Sequence, residues 1–349
     1  MTKLPGFTLA RESQLEQIMN FDLHSLDIDP AIETERIVTA LRQNIHQVMH
    51  RRGGVVGISG GIDSTVVLAL ALRAFGTERV VAIMLPEKDS DPETEGFARL
   101  AAQHFEVEPV LEDITPVLEG FGCYRRRDEA IRRLFPEYDA SAGYKVKIGL
   151  PQNLLDEDTL NIFWLTIITP EGEEKSHRLP MSEYLQIVAA SNFKQRTRMA
   201  MLYYHAELRN YAVIGTANKN EHGQGFFVKY GDGGVDIQPI AHLFKTQIYQ
   251  LASYLGVPEP IQKRPPTTDT YSAPSTQQEF FFRLPFKTMD LLWTAQENKL
   301  PLHEVAKVME LNEVQVQRAF TDFTRKQRTT DYLRMPPVFL EKPDHPEKS

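Results

Sequence analysis

The sequence is poor in sulfur and has no long apolar run, and both scarcities narrow the class of protein. The single cysteine among 349 residues, Cys123, excludes an intramolecular disulfide and fits a reducing compartment. No apolar stretch is long enough for a membrane-spanning helix, and residues 1–10 lack a basic-then-apolar signal pattern. We therefore expect a cytoplasmic protein that makes no membrane contact.

An excess of positive charge is also missing. The 39 lysines and arginines are outnumbered by 47 aspartates and glutamates, which gives a formal net charge of -8. General binding to nucleic acid requires a cationic surface along the phosphates, so we expect no nucleic-acid partner. The length of the chain is sufficient for one large domain with an elaboration, built around a sizeable core.

Buried strands alternate with helices along most of the chain. Short apolar runs predict strands near residues 54–58, 79–85, 108–111 and 211–215. Helical periodicity or helix-ending glycines predict helices over residues 30–50, 64–75, 92–105, 192–209 and 245–255. This alternation is typical of an α/β protein with a doubly wound parallel sheet flanked by helices.

One region interrupts the alternation, and it shapes the predicted domain organisation. Residues 121–185 carry an arginine-rich cluster and then a β-hairpin pattern, with strands near 160–169 and 174–179 around the turn at 170–173. We interpret this region as an insertion. The predicted units are an N-terminal helical segment (1–52), the α/β domain (53–275), a helical C-terminal region (276–335) and a loose tail (336–349).

A glycine-rich loop between the first strand and its helix is the strongest functional signal. Its residues are Gly57, Ile58, Ser59, Gly60, Gly61, Ile62, Asp63 and Ser64. Glycines let the backbone approach an anion, and the amide groups at a helix start favour negative charge. The hydroxyls of Ser59 and Ser64 can donate to phosphate oxygens. The loop therefore predicts phosphate binding.

The acid within this loop separates it from the common nucleotide motifs. It lacks the lysine of the Walker loop, and its glycine spacing differs from the dinucleotide fingerprint. A carboxylate beside phosphate is repulsive unless a divalent cation lies between them, and Mg²⁺ prefers one or two carboxylates plus phosphate oxygens. Asp63 therefore predicts Mg²⁺ bound to the phosphates.

The loop resembles the pyrophosphate-binding loop of the N-type ATP pyrophosphatases, whose fold is like that of the adenine nucleotide alpha hydrolases. That resemblance implies cleavage of ATP into AMP and pyrophosphate as a carboxylate is activated. It does not specify the carboxylate. The second half of the chain carries further motifs, in the segments 192–199, 214–221, 225–240 and 265–268 together with Lys245.

This ordered series resembles the NAD synthetase family, and the block Lys-Tyr-Gly-Asp-Gly-Gly at 229–234 is its most specific part. The resemblance implies ATP-dependent amidation of deamido-NAD with ammonia to give NAD, through an acyl-adenylate. An amide ligase of the same family that acts on a different carboxylate is the alternative. An inert nucleotide-binding protein is a third reading, against which the complete set of matching residues argues.

The resemblance also implies individual roles. Asp63 and Glu221 would hold Mg²⁺ and, with Lys245, form the catalytic set. The loop Gly57–Ser64, Thr216, Lys245 and Thr267 would bind ATP. The remaining roles fall to the residues that would contact the dinucleotide substrate, namely Arg196, Lys229 and Asp236.

The expected partners are deamido-NAD or another carboxylate, ammonia, and a second copy of the chain in a homodimer. With a sole cysteine and about 53 residues before the first strand, we expect free ammonia, or ammonia from a separate glutaminase, as the nitrogen source. The C-terminal third departs from the family pattern. A His-Lys pair near the end is missing, and its nearest match is the run 325–328 with Lys326. The sequence therefore supports activation of a carboxylate more directly than it specifies the acid.

Overall fold

The centre of the molecule is a four-stranded parallel sheet. A computed structural model describes residues 21–151, 154–157, 162–268 and 270–341. The strands are β1 (Gly54–Gly57), β2 (Val80–Met84), β3 (Val110–Leu111) and, after a second sheet, β7 (Ala212–Ile214), in the order β3-β2-β1-β7. All three pairings are parallel, which confirms the predicted sheet.

Both faces of this sheet are covered. In β1, Val55 packs in one apolar cluster and Val56 in another, because successive side chains of a strand point to opposite faces. The helices before the second sheet are α1 (Pro30–Arg42), α2 (Ile62–Phe75), α3 (Pro92–His104), α4 (Thr115–Gly120) and α5 (Cys123–Leu134). Both α1 and α3 begin at a proline that follows an aspartate cap, a favoured helix start.

The region that the sequence analysis interprets as an insertion contains a second sheet of three antiparallel strands, which we call the inserted sheet. They are β4 (Lys145–Gly149), β5 (Trp164–Ile168) and β6 (Glu174–Arg178), in the order β4-β5-β6. The predicted hairpin is present as β5 and β6, and β4 is an additional strand that the sequence did not predict. Residues 160 and 161 of the predicted hairpin lie outside the described residues.

A segment that we call the cleft loop (residues 264–279) packs against the second sheet. It folds back on itself, with a bridge between Thr267 and Thr276. Its Ala273 amide donates to the Val146 carbonyl of β4 at 3.0 Å, and the Val146 amide donates to Ser272 Oγ, also at 3.0 Å. The inserted sheet therefore holds the outer side of the cleft loop.

The rest of the chain is mainly helical. Its helices are α6 (Met181–Arg209), α7 (Lys219–Gln224), α8 (Lys245–Leu255), α9 (Glu259–Lys263), α10 (Phe286–Glu297), α11 (Leu302–Met309), α12 (Glu313–Thr329) and α13 (Asp331–Arg334). The helix that the sequence predicted from residue 192 begins earlier, at Met181, shortly after the hairpin ends. The last helices share a core around Trp293 and Phe323.

No helix within the described ranges combines the length and the apolar character required to cross a bilayer.

The strand order creates a crevice beside β1. The chain leaves β1 toward β2 on one side and returns to β7 on the other side. In doubly wound sheets, such a switch point opens a crevice at the carboxyl ends of the strands, where ligands bind. The predicted phosphate loop directly follows β1, and Thr216 follows β7 by two residues. The fold therefore brings two separate motifs to one crevice.

Candidate active site

The crevice contains two joined compartments of different chemistry. The larger has a volume of about 460 Å³ and is walled largely by apolar side chains of β2, α6 and the segment after β7. The smaller, of about 150 Å³, is lined by the phosphate loop, Glu221, Lys245 and the cleft loop. Four residues line both compartments, all with hydroxyl groups: Ser59, Thr94, Thr216 and Thr267. A base and a triphosphate would fit this pairing of an apolar and a polar space.

The phosphate loop has a tight conformation that depends on Gly60. This residue has a φ of 66°, and a Cβ there would lie 2.5 Å from Phe97 Cβ and 2.7 Å from the Ala98 amide nitrogen of α3. The hydroxyl of Ser64 donates to the Gly61 carbonyl at 3.0 Å. Of the eight predicted loop residues, all but Gly60 line a compartment. Gly60 instead lets α3 pack directly against the loop.

An ion pair lies at the floor of the smaller compartment. The ammonium of Lys245 contacts Asp63 Oδ2, and the side-chain amide of Asn218 donates to Asp63 Oδ1 at 3.1 Å. Lys245 is buried. Burial alone would lower the pKa of Lys245, but the carboxylates of Asp63 and Glu221 outweigh that effect and raise it. Lys245 therefore stays charged.

Glu221 is both a helix cap and a member of the polar cleft. Its amide donates to Asn218 Oδ1 at 3.0 Å, and its Oε2 accepts the Asn218 amide at 3.1 Å, which forms a capping box at the start of α7. Its Oε1 accepts from Gln277 of the cleft loop at 3.0 Å. Withdrawal from water and the nearby Asp63 carboxylate raise the pKa of Glu221. Two carboxylates thus face one small space.

This donor set is suited to a hard divalent cation that a ligand helps to hold. Mg²⁺ takes oxygen ligands and commonly binds through one or two carboxylates plus substrate phosphates. In the described part of the chain, no cluster of three or more His, Cys, Asp or Glu side chains would hold a metal without such help. Asp63 and Glu221 beside a phosphate loop therefore fit Mg²⁺ delivered with a nucleotide.

A buried polar network that the sequence analysis did not identify supports Lys245. Asp290 of α10 accepts from Asn220 at 2.6 Å and from the Thr246 amide at 3.0 Å. Asn220 Oδ1 in turn accepts the amide of Lys245 at 2.8 Å. Burial raises the pKa of Asp290 to about 6, although these donors act in the opposite direction. The network joins the starts of α7 and α8 to α10, which fixes the position of Lys245.

The three predicted substrate residues lie apart from these compartments. The described lining of the two compartments does not include Arg196, Lys229 or Asp236. Arg196 is exposed on α6. Lys229 donates to the carbonyls of Tyr332 and Met335, at 2.8 and 2.7 Å.

Asp236 accepts from the Tyr203 hydroxyl at 3.0 Å and from the Val213 amide at 2.8 Å. The substrate roles of Arg196, Lys229 and Asp236 stay predictions.

Arg198 is the basic residue of α6 that faces the larger compartment. It lies there with Gln195, Met199 and Leu202. These four positions recur at steps of three and four residues, so they share one face of the helix. That spacing could have singled out Arg198 from the sequence. Its Nε donates to the Leu85 carbonyl at 3.1 Å.

Lys326 is the closest match to the family's missing basic pair, and it is buried. Its ammonium lies 2.8 Å from Asp322 Oδ2 and donates to the Phe281 carbonyl, also at 2.8 Å. Burial lowers the pKa of Lys326, although the Asp322 carboxylate partly offsets the effect. A lysine engaged in this way holds α12 against the π-helical turn Gln278–Phe282 instead of presenting its charge to a ligand.

Lys194 of α6 is the centre of a buried ionic network beside the larger compartment. It lies 2.9 Å from Glu87 Oε1 and 2.7 Å from Asp89 Oδ2, and it donates to the Thr270 carbonyl at 2.8 Å. Arg127 of α5 also contacts Asp89. Burial alone would raise the pKa of Asp89, but Lys194 and Arg127 hold it below its ordinary value. The network joins the loop after β2, the α5 helix and the cleft loop.

The doubly wound sheet, the acid-containing phosphate loop and the two joined compartments define an N-type ATP pyrophosphatase. The sequence comparisons specify the family. The family model described as NAD synthase matches residues 33–134 and 165–336. The chain therefore belongs to the NAD synthase family.

Relatives with this chain's overall length are found among bacterial enzymes. The NH(3)-dependent NAD(+) synthetase of Rhizobium meliloti is 48% identical over 92% of this chain and 95% of that protein. The protein of the same name from Thermotoga maritima is 34% identical over 80% of this chain and 95% of that protein. The cleft loop (residues 264–279) lies within the part of the chain that the family model matches.

Solved structures agree on the fold. The NH3-dependent NAD synthetase of Campylobacter jejuni, in complex with the nitrate ion, superposes with a TM-score of 0.59 at 21% identity, over 90% of this chain and all of that chain. An NMN synthetase from Francisella tularensis gives a TM-score of 0.56, also at 21% identity, over 90% of this chain and 99% of that one. These identities show the fold alone.

The Lys194 network predicts a large stability effect. The Lys194→Met variant leaves Glu87 and Asp89 buried without their ammonium partner, which typically costs about 3–5 kcal/mol of unfolding free energy. Urea denaturation would measure the loss. Lys175→Met is the matched control, because its ion pair with Glu137 is 41% exposed on both sides and its removal should hardly change the midpoint. Equal midpoints for the two variants would contradict the prediction.

Proposed function

We propose that this protein amidates deamido-NAD with ammonia, in an ATP-dependent reaction that passes through an acyl-adenylate and releases AMP and pyrophosphate. The observation that carries the proposal is 48% identity to an NH(3)-dependent NAD(+) synthetase over 92% of the chain. The two joined compartments supply the chemistry: the larger suits adenosine, and the smaller suits the phosphates.

The arrangement of the site explains how the carboxylate is activated. A carboxylate oxygen attacks the α-phosphorus, the bond to the bridging oxygen breaks, and its electron pair leaves with pyrophosphate. Negative charge grows on the leaving group, so fixed donors near the phosphate loop lower the barrier. Ser59, Ser64 and the loop amides would bind the phosphates, and Lys245 would offer positive charge at the compartment floor.

Ammonia then completes the reaction. Its nitrogen attacks the carbonyl carbon of the acyl-adenylate, AMP departs, and the extra proton leaves to solvent or a nearby base. No side-chain nucleophile is needed, because the mixed anhydride is already reactive and the site holds it near the incoming amine. Our proposed contacts to deamido-NAD are Arg196, Lys229 and Asp236. The two cations suit a substrate that carries phosphates, and Asp236 is carried over from the family resemblance.

We also assign Asp63 and Glu221 as Mg²⁺ ligands. Mg²⁺ would offset the charge of the ATP phosphates when it is bound. The two carboxylates converge on the compartment that the phosphate loop lines. The same loop and Thr216, Lys245 and Thr267 are the proposed ATP contacts.

Substrate specificity is tested by AMP release across candidate acids. With ATP, Mg²⁺ and ammonium chloride, we expect AMP to form with deamido-NAD and not with nicotinate mononucleotide or aspartate. Mass spectrometry should identify NAD as the second product. AMP formation with another acid, and none with deamido-NAD, would instead establish the amide ligase that acts on a different carboxylate.

The Asp63→Asn variant tests the metal assignment. It removes one anionic ligand but keeps the side chain's size, so we expect turnover to fall by about 10²-fold or more while the fold persists. Calorimetric titration of Mg²⁺ with ATP present should show weaker metal binding. Circular dichroism controls for folding, and Asp113→Asn controls for loss of one charge, because Asp113 is exposed and lies outside the described lining of both compartments. Unchanged metal binding would refute the assignment.

Two features of the proposed function concern partners. We infer a homodimer, in line with the family resemblance and with the exposed apolar side chains of Tyr204 and Leu208 on α6. Sedimentation velocity should then give a mass of roughly twice 39.9 kDa. We infer free ammonia, or ammonia from a separate glutaminase chain, as the nitrogen donor. Replacement of ammonium by glutamine in the AMP assay should abolish activity.

A further inference from the structure

Arg264 occupies a distinctive place at the junction of the two compartments. It lines the smaller compartment and lies next to Pro265 and Pro266, whose rigid rings connect it to Thr267. Thr94, which lines both compartments, accepts a hydrogen bond from Arg264 Nη2 at 2.9 Å. The guanidinium is therefore bonded to one of the residues that the apolar space and the phosphate compartment share.

The charges of the smaller compartment leave a need for a second cation. Its described lining holds two carboxylates, Asp63 and Glu221, and two cationic groups, Lys245 and Arg264. Lys245 is in direct contact with Asp63, so its charge is already largely balanced. The phosphates add more negative charge, and even Mg²⁺ does not neutralise a triphosphate completely. Arg264, the second cation of this lining, has a longer contact to a carboxylate, with 3.5 Å between its Nη2 and Asp91 Oδ2.

The contacts of Arg264 are compatible with a ligand-binding role. Its side chain is only 12% exposed, yet its nearest carboxylate, Asp91 Oδ2, lies 3.5 Å away on a side chain that is 47% exposed. The guanidinium carbon lies 4.8 Å from the centre of the Phe97 ring. Stacking on an aromatic face leaves the in-plane N–H groups of an arginine able to donate, and they match phosphate oxygens bidentately.

We propose that Arg264 binds the pyrophosphate portion of ATP and stabilises the negative charge that develops on it as the bond to the α-phosphorus breaks. This inference deepens the proposed function and rests on it. The electron pair of the broken bond goes to pyrophosphate, and Arg264 meets that charge within the compartment that Lys245 also lines. Phe97 and Thr94 hold the guanidinium in place before ATP arrives.

The decisive measurement is the binding of free pyrophosphate and of AMP to purified variants by calorimetry. For Arg264→Met we expect pyrophosphate with Mg²⁺ to bind about tenfold more weakly or worse, while AMP affinity stays within about twofold. In the AMP-release assay kcat should fall by about 10²-fold. Arg264→Lys should recover part of the pyrophosphate affinity, because it restores the charge without the bidentate geometry.

Lys263→Met is the matched control. Lys263 is the adjacent cation, but its side chain is 75% exposed and pairs with Glu259, so its loss should leave pyrophosphate affinity unchanged. The Thr94→Val variant removes the hydrogen bond that holds the guanidinium of Arg264 but keeps the charge. It therefore separates the contribution of the charge to pyrophosphate affinity from that of the hydrogen bond that holds it. Equal weakening of AMP and pyrophosphate binding in Arg264→Met, or pyrophosphate affinity like that of the wild type, would overturn the proposal.

The binding experiments need no carboxylate substrate. A wrong assignment of the acid would therefore leave the pyrophosphate result intact, and it would appear only in the AMP-release assay. Conversely, suppose that the wild-type enzyme turns over deamido-NAD and that Arg264→Met binds pyrophosphate as tightly as the wild type does. The proposed function would then stand, and only the role of Arg264 would be rejected.

Discussion

The contact between Lys245 and Asp63 sets the conditions for the rest of the site. The two residues lie 182 positions apart in the chain, on α8 and α2. A buried ammonium without a partner costs several kcal/mol, so the fold must bring these helices together in one arrangement. That arrangement places the phosphate loop, the start of α7 and the start of α8 around one small space. The charges that stabilise the fold are therefore also the charges that we propose meet the phosphates.

Two further buried networks hold this arrangement from outside. Asp290 and Asn220 position the backbone at Lys245 from the C-terminal helices. Lys194 connects the loop after β2 to the cleft loop from the opposite side. Asp290 accepts three hydrogen bonds and Lys194 makes three close polar contacts, and buried polar groups that are held in this way favour a single geometry. The active-site walls are thus fixed by electrostatics as well as by apolar packing.

Local sequence signals predicted the strands of the parallel sheet and the position of the phosphate loop after β1. Residue types and spacing carried that information for the eight-residue loop, whereas the roles of Glu221 and Lys245 were predicted from the family resemblance. Asp290 and Arg264 were missed because their roles depend on neighbours distant in the chain, which periodicity and composition do not encode. The β4 strand was missed for a similar reason: it forms through pairing with β5 and with the cleft loop.

The cleft loop makes contacts on two sides: some of its residues line the smaller compartment, and others form hydrogen bonds with β4. A change in the inserted sheet is therefore transmitted to residues beside the nucleotide. Natural variation in the two segments should be correlated. A chimaera that takes only one of them from a relative would lose the matched contacts between them. For protein engineering, the inserted sheet and the cleft loop should therefore be exchanged together.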